Sequence, residues 1–167
     1  MRVLAIDPGT VQSAFVLWDG DRVISKGIFE NSLMVETIWA TNAQVCDKLV
    51  IEMIASYGMA VGKTVFDTCV WIGRFFEAGQ YNCLDPVLLY RGDVKMHLCQ
   101  SMRAKDSNIR QAIIDRFGQP GTIKNPNHVY NDGMGEKMSK DKWAAFGVAI
   151  TWMDRFNYEY TRSIKPT

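Results

Sequence analysis

Four apolar residues, Val3, Leu4, Ala5 and Ile6, run directly into Asp7, and Pro8 and Gly9 break the chain immediately after it. A short unbroken apolar run bounded by turn residues predicts a strand buried on both faces. Asp7 is then a carboxylate at the end of a buried strand, beside a turn where backbone can approach closely. Such a position is costly unless a cation or ligand uses it. The plainer role is a turn residue, since Asp readily bonds its own backbone at turns. Taken alone, the stretch leaves both roles open.

The remaining chain narrows the choice. At 167 residues it is expected to form a single domain, 1–167, large enough to bury a core without staples. A 47% hydrophobic and 22% charged composition excludes disordered, collagenous and coiled-coil chains. The formal charge of +1 excludes little, because a basic face can balance an acidic pocket. Cys46, Cys69, Cys83 and Cys99 form no CxxC pair, so they are expected as small core residues in a reducing compartment rather than zinc ligands. With no apolar signal core and no run of membrane-spanning length, the expected location is cytoplasmic and no membrane partner is expected.

Read in order, Ser13–Trp18 predicts a second strand, Asp19-Gly20-Asp21 a hairpin turn and Arg22–Phe29 a third strand, which together make an antiparallel meander. Asn31 or Ser32 is placed to cap a helix reaching about Asp47, with Leu33, Val35, Ile38 and Trp39 facing the sheet. Lys48–Ile54 predicts a fourth strand, again with a carboxylate, Glu52, inside apolar sequence. Gly62-Lys63-Thr64 imitates the end of a P-loop, but the first glycine of that motif would fall on Tyr57. A helix follows to about Ala78, stopped by Gly79, with Val65, Phe66, Cys69, Val70, Trp71 and Phe75 as core. Pro86–Tyr90 is a fifth strand.

From Arg91 onward, Lys95, Arg103, Lys105, Arg110 and Arg116 punctuate two helical segments, the second capped by Ser107 or Asn108 and ended by Gly118. Residues 119–139 show no hydrophobic period, and a loop of that length inside a compact chain is functional or mobile. Lys140–Trp152 is apolar on nearly every side and predicts a buried helix with Asp141 in its first turn. There the helix dipole alone favours a carboxylate.

If the strands carrying Asp7 and Glu52 are neighbours, two like charges meet and repel unless one is protonated or a cation lies between them, and a hard divalent cation fits. Oxygen ligands without His or Cys favour Mg²⁺ or Mn²⁺ over zinc. His97 and His128 are too scattered for a metal site. Asp141 is the natural third ligand. Three such carboxylates suit two ions roughly 4 Å apart that activate water at a phosphodiester.

Ile6-Asp7-Pro8-Gly9-Thr10, Val50-Ile51-Glu52, Val94-Lys95 followed by Ala104-Lys105, and the Asp141 helix ending Val148-Ala149-Ile150-Thr151 resemble, in order and as a set, the RuvC family of Holliday junction resolvases. The resemblance implies a ribonuclease-H-like α/β fold, a five-stranded mixed sheet whose first three strands are antiparallel, flanked by helices. It implies a Mg²⁺-dependent homodimer of bacterial or viral origin that makes paired cuts in four-way DNA junctions. Asp7, Glu52 and Asp141 match the family's first three acidic positions, and the fourth falls on Ala144. Glu136, Asp132 or water can stand in, or three carboxylates complete the site. Lys95 and Lys105 match basic positions that contact DNA. Tyr57 is the nearest aromatic to the family's base-stacking position. Arg91, Arg103, Lys63, Lys124 and Lys137 are further candidate DNA contacts.

Two other functions remain compatible with these residues. A junction-binding protein with impaired catalysis would explain Ala144. A nucleotide-dependent phosphotransferase also opens with a strand and Asp-x-Gly-Thr, but it needs a second similar domain.

Overall fold

The structure, a computed structural model, describes residues 1–164 apart from Ala43, Tyr57, Met59, Cys83, Ile123, Gly135 and Glu136, with side chains through Phe156. Tyr57, Cys83 and Glu136 therefore lie outside the described residues. Five strands, β1 (Val3–Asp7), β2 (Gln12–Trp18), β3 (Val23–Glu30), β4 (Lys48–Met53) and β5 (Val87–Tyr90), form one sheet in the order β3-β2-β1-β4-β5. β1, β2 and β3 are antiparallel neighbours, whereas β4 runs parallel to β1 and to β5. The expected mixed sheet is therefore present.

Helices α1 (Asn31–Ala40) and α2 (Lys63–Tyr81) cover one face. Helices α3 (Arg91–Cys99), α4 (Asp106–Phe117) and α5 (Lys140–Ile164) cover the other. Strand alternation assigns the side chains. Leu4, Ile6, Leu49 and Ile51 face α1 and α2, and Val3, Ala5, Val50 and Leu89 face α5. β1 and β4 are apolar throughout because both of their faces are covered. α5 is buried from Lys142 to Thr151, and Phe146 lies edge-on to Trp18 at 4.9 Å and stacked on Phe117 at 5.9 Å.

Several boundaries differ from the sequence reading. Asn31 does not cap α1. Its Nδ2 donates to the Gly9 carbonyl at 2.9 Å and its Oδ1 accepts from Ser13 Oγ at 2.6 Å, which ties the start of α1 to the turn after β1. α1 ends at Ala40, seven residues before Asp47. Asn82, at the end of α2, reaches the carbonyls of Ile38, Trp39 and Thr41 and satisfies that terminus from outside. Val35 and Ile38 are buried against the sheet as expected, together with Met34, whereas Leu33 and Trp39 are exposed. On α2 the buried stripe is Thr68, Ile72, Phe75 and Ala78, which leaves Phe66 and Val70 on the opposite face at 60% and 63% exposure. α4 begins at Asp106, and Asn108 Oδ1 accepts the Lys105 amide at 2.9 Å, so Lys105 takes the capping position expected of Ser107 or Asn108.

The long loop is pinned rather than free. Asn127 Nδ2 donates to the carbonyls of Phe117 and Gln119, and the Tyr130 hydroxyl donates to the Gly118 carbonyl. Buried Lys26 donates to the Tyr130 carbonyl at 3.1 Å and lies 2.7 Å from Asp132 Oδ2. Cys46 is buried, and Cys69 and Cys99 are half-buried, all three as free thiols.

Gly79 does not stop α2, which continues to Tyr81. A Cβ on Gly79 would lie 2.5 Å from Leu49 Cδ2 and 3.3 Å from Pro86 Cβ, so the residue is small because β4 packs against it. Gly79→Ala should lower stability by about 1–3 kcal/mol through overpacking, read as an earlier urea midpoint at unchanged m value. A glycine inside the helix with no packing role would instead gain about 1 kcal/mol on becoming alanine.

Candidate active site

The register of β1 and β4 brings two carboxylates together. Ile6 pairs with Ile51, so the next residues along the parallel strands, Asp7 and Glu52, stand side by side at the carboxyl ends. Both continue the Val3, Ala5, Val50 series and so point toward α5. Gly9 allows the chain to turn immediately afterwards, since a Cβ there would meet the Gln12 carbonyl oxygen at 2.4 Å. Asp141 enters from the first turn of α5. A cleft of about 390 Å³ is lined by Asp7, Glu52, Arg91, Asp106, Lys140, Asp141 and Ala144 among others.

The electrostatics are those of a confined like-charge pair. Burial, then the hydrogen bond and charge of Glu52, push the Asp7 carboxyl from 3.8 up to about 9, with Asp141 adding to the rise and Arg91 opposing it. Glu52 is buried and holds Arg91, whose Nη1 donates to Oε1 at 2.8 Å and Oε2 at 2.9 Å. Nη2 of Arg91 donates to Asp106 Oδ1. Burial works against the Arg91 charge, but Glu52 and Asp106 outweigh it and raise its pKa.

Among the described residues, no three His, Cys, Asp or Glu side chains are gathered closely enough to hold an ion as they stand. Asp7 and Glu52 are in contact, and Asp141 lies on the cleft wall within reach of their charge. The donor chemistry nonetheless fits a hard divalent cation. It is all carboxylate oxygen, and Asp7 ionises at ordinary pH only if positive charge arrives.

The other expected site residues divide into three groups. Lys95 lies four residues beyond Arg91 on α3, hence on the same helical face. Arg103 and Lys105 are exposed in the connection to α4, with Lys105 directly before the cleft residue Asp106. Lys124 and Lys137 line a separate cavity of about 700 Å³ together with Arg110, Tyr130 and Trp143. Ala144 lines the acidic cleft and Trp143 the basic cavity, so the two flank the start of α5. Lys63 belongs to neither lining and sits 3.6 Å from Asp67 on α2. Tyr57 lies outside the described residues, as does Glu136.

One expectation is corrected: Asp132 does not replace a fourth acid, because it is turned inward to Lys26. Arg91, a candidate DNA contact, has both of its terminal nitrogens on carboxylates. His97 faces Asp154 at 2.8 Å, which Arg116 also holds, so it serves the packing of α3 and α4 against α5. Sequence reasoning missed Asp106 and Lys140 as cleft residues and did not single out Arg110. No apolar context marks them, and only the convergence of β4, α3, α4 and α5 does.

The sheet order, the strand directions and the helices on both faces define a ribonuclease-H-like fold. Among solved structures the chain is similar to RuvC of Thermus thermophilus, with a TM-score of 0.69 at 12% identity over 94% of this chain and 97% of that one. It is also similar to T. thermophilus RuvC in complex with Holliday junction substrate, with a TM-score of 0.65 at 12% identity, covering 90% and 92% of the two chains. At that identity the likeness is one of fold. No protein-family model matches the chain, and no curated protein matches it by sequence.

The raised Asp7 pKa makes metal-free stability depend on pH. The unfolded carboxyl ionises near 3.8 and the folded one near 9, so the native state binds more protons between these values and stability falls as pH rises through that window. Asp7→Asn cannot ionise and should melt above wild type in chelator at pH 8. The gap should narrow toward pH 4, at about 2–4 °C per kcal/mol. Equal melting temperatures at pH 8 would mean that Asp7 carries no such penalty.

Proposed function

We propose that this chain is a divalent-metal-dependent endonuclease that resolves four-way DNA junctions by paired phosphodiester hydrolysis, acting as a homodimer in recombination and repair. The observation that carries this reading is the pairing of half-buried Asp7 with buried Glu52, with Asp141 on the same cleft, at the carboxyl ends of adjacent parallel strands. It stands on a fold shared with a protein solved on a Holliday junction.

Asp7, Glu52 and Asp141 are the residues that would hold the cation, Mg²⁺ with Mn²⁺ as substitute. When bound, it supplies Lewis-acid polarisation of the phosphodiester and an activated water. The chain's own groups do the rest. Arg91 keeps both Glu52 oxygens oriented. Lys140 places a positive charge on the cleft wall. Lys95, Arg103 and Lys105 on one side, and Lys124, Lys137 and Arg110 beyond the start of α5, offer cations for phosphates on either side of the cleaved bond. These contacts position the backbone and read no sequence, so junction shape supplies the selectivity, and forks or other branches are also substrates.

Symmetric cuts across a junction need two sites related by a two-fold axis. The exposed apolar face of α2 suits that role. Val11, Val70 and Trp71 line one shallow cleft, and Phe66 lies one turn from Val70. With a second copy seated there, the 18.9 kDa chain sediments at twice that mass, and Val70→Glu should sediment as monomer. A wild-type monomer in the presence of junction DNA would remove this interface.

The activity is tested with a labelled four-way junction, with and without Mg²⁺. Wild type should give paired nicks only with metal, and Asp7→Asn should lose roughly 10³-fold or more of the rate while still binding. Lys95→Ala should weaken binding to every branched substrate and reduce the slope of log affinity against log salt by about one. Tight binding with no cleavage under any metal would favour the junction-binding reading, to which Ala144 lends support.

A further inference from the structure

Arg91 opens α3 directly after β5, and β5 lies beside β4, with Glu52 paired to Leu89. The guanidinium therefore reaches back over the strand ends to Glu52, where Nη1 engages both carboxylate oxygens at 2.8 and 2.9 Å. Nη2 is held by Asp106 from the first turn of α4. The Glu52 side chain is 5% exposed and that of Arg91 25%, so the contact is sheltered from solvent. A guanidinium held this way is a permanent cation, because it does not lose its proton at any ordinary pH.

We propose that Arg91 takes the electrostatic place of a second metal ion, so that each protomer binds one divalent cation instead of the two expected from three carboxylates. The inference rests on the metal-dependent reading above. The cleft is lined by the carboxylates of Asp7, Glu52, Asp106 and Asp141 and by the cations of Arg91 and Lys140. Four negative charges against two positive ones leave the charge that one divalent ion neutralises. A second ion would leave an excess of positive charge beside buried Glu52.

Ligand supply agrees with charge. Each Glu52 oxygen already accepts one hydrogen bond from Arg91, and only the remaining lone pairs are open toward Asp7. On the α5 side, Ala144 presents a methyl group to the same cleft and donates no oxygen. Ala144 supplies no carboxylate and Arg91 supplies a fixed cation, and both lower the negative charge that the cleft offers to metal ions. Arg91 is accordingly a positioning residue that acts through Glu52.

Titration of the metal-free protein with Mn²⁺, followed by calorimetry and by electron paramagnetic resonance, tests this without any measure of activity. Wild type should take one Mn²⁺ per protomer with the spectrum of an isolated ion. Arg91→Gln, which keeps size and hydrogen-bonding groups but drops the charge, should take two and show the spin-coupled signal of a close pair. Arg91→Lys should return to one. Circular dichroism checks that the variants fold, and if Arg91→Gln does not, the wild-type stoichiometry alone decides. Two ions in wild type, or one ion in all three proteins, would overturn the role of Arg91. No Mn²⁺ bound by wild type at millimolar concentration would overturn it too, and would remove the metal-dependent reading with it.

Discussion

Two carboxylates that cannot both be ionised without help, Asp7 and Glu52, stand at the ends of adjacent parallel strands, and much of the surrounding structure answers that constraint. Their proximity follows from the parallel register of β1 and β4. The register is rigid because a slip by one residue would turn Leu4, Ile6, Leu49 and Ile51 to the wrong face of the sheet. Core packing thus holds the two acids together against their repulsion. In the absence of a cation, Asp7 keeps its proton and Glu52 takes the Arg91 guanidinium.

The elements around the pair serve it in different ways. The mixed sheet leaves β1 and β4 in its centre, covered on both faces, so Glu52 is buried and Asp7 half-buried at the strand ends. α5 packs on β1, β2 and β4, and its buried body directs the exposed, charged Lys140 and Asp141 at the strand ends. The turn after β1 is stiffened by the Ser13–Asn31–Gly9 hydrogen bonds, which fix where Asp7 leaves the sheet. Within 119–139, which looks structureless in sequence, Asn127 and Tyr130 are tied to Phe117, Gly118 and Lys26 beside the start of α5. A site assembled from strand ends and a helix terminus holds its geometry better than one carried on loops alone.

The five strands and the antiparallel meander of the first three were legible because hydrophobic periodicity responds to burial, which is nearly complete along β1, β2 and β4, whereas the mixed sheet was implied only by the family resemblance. Asp7, Glu52 and Asp141 stood out for the same reason, since each is a carboxylate at the margin of an apolar run. Helix faces were less legible. Phe66 and Val70 on α2, and Leu33 and Trp39 on α1, are as apolar as the residues that are buried, and composition cannot distinguish a core face from an outward one. The end of α1 was hidden because Asn82, far along the chain, satisfies its carbonyls.

The sequence by itself determined that two strands would deliver carboxylates and that a buried helix would start with a third, because those features depend on near neighbours in the chain. The partners of each charge were decided by tertiary structure alone. Arg91 belongs to Glu52 and Asp106, and Asp132 belongs to Lys26. A charge taken out of water settles on whichever opposite charge the fold brings within reach, and that distance is set by the packing of sheet against helices, not by separation along the chain.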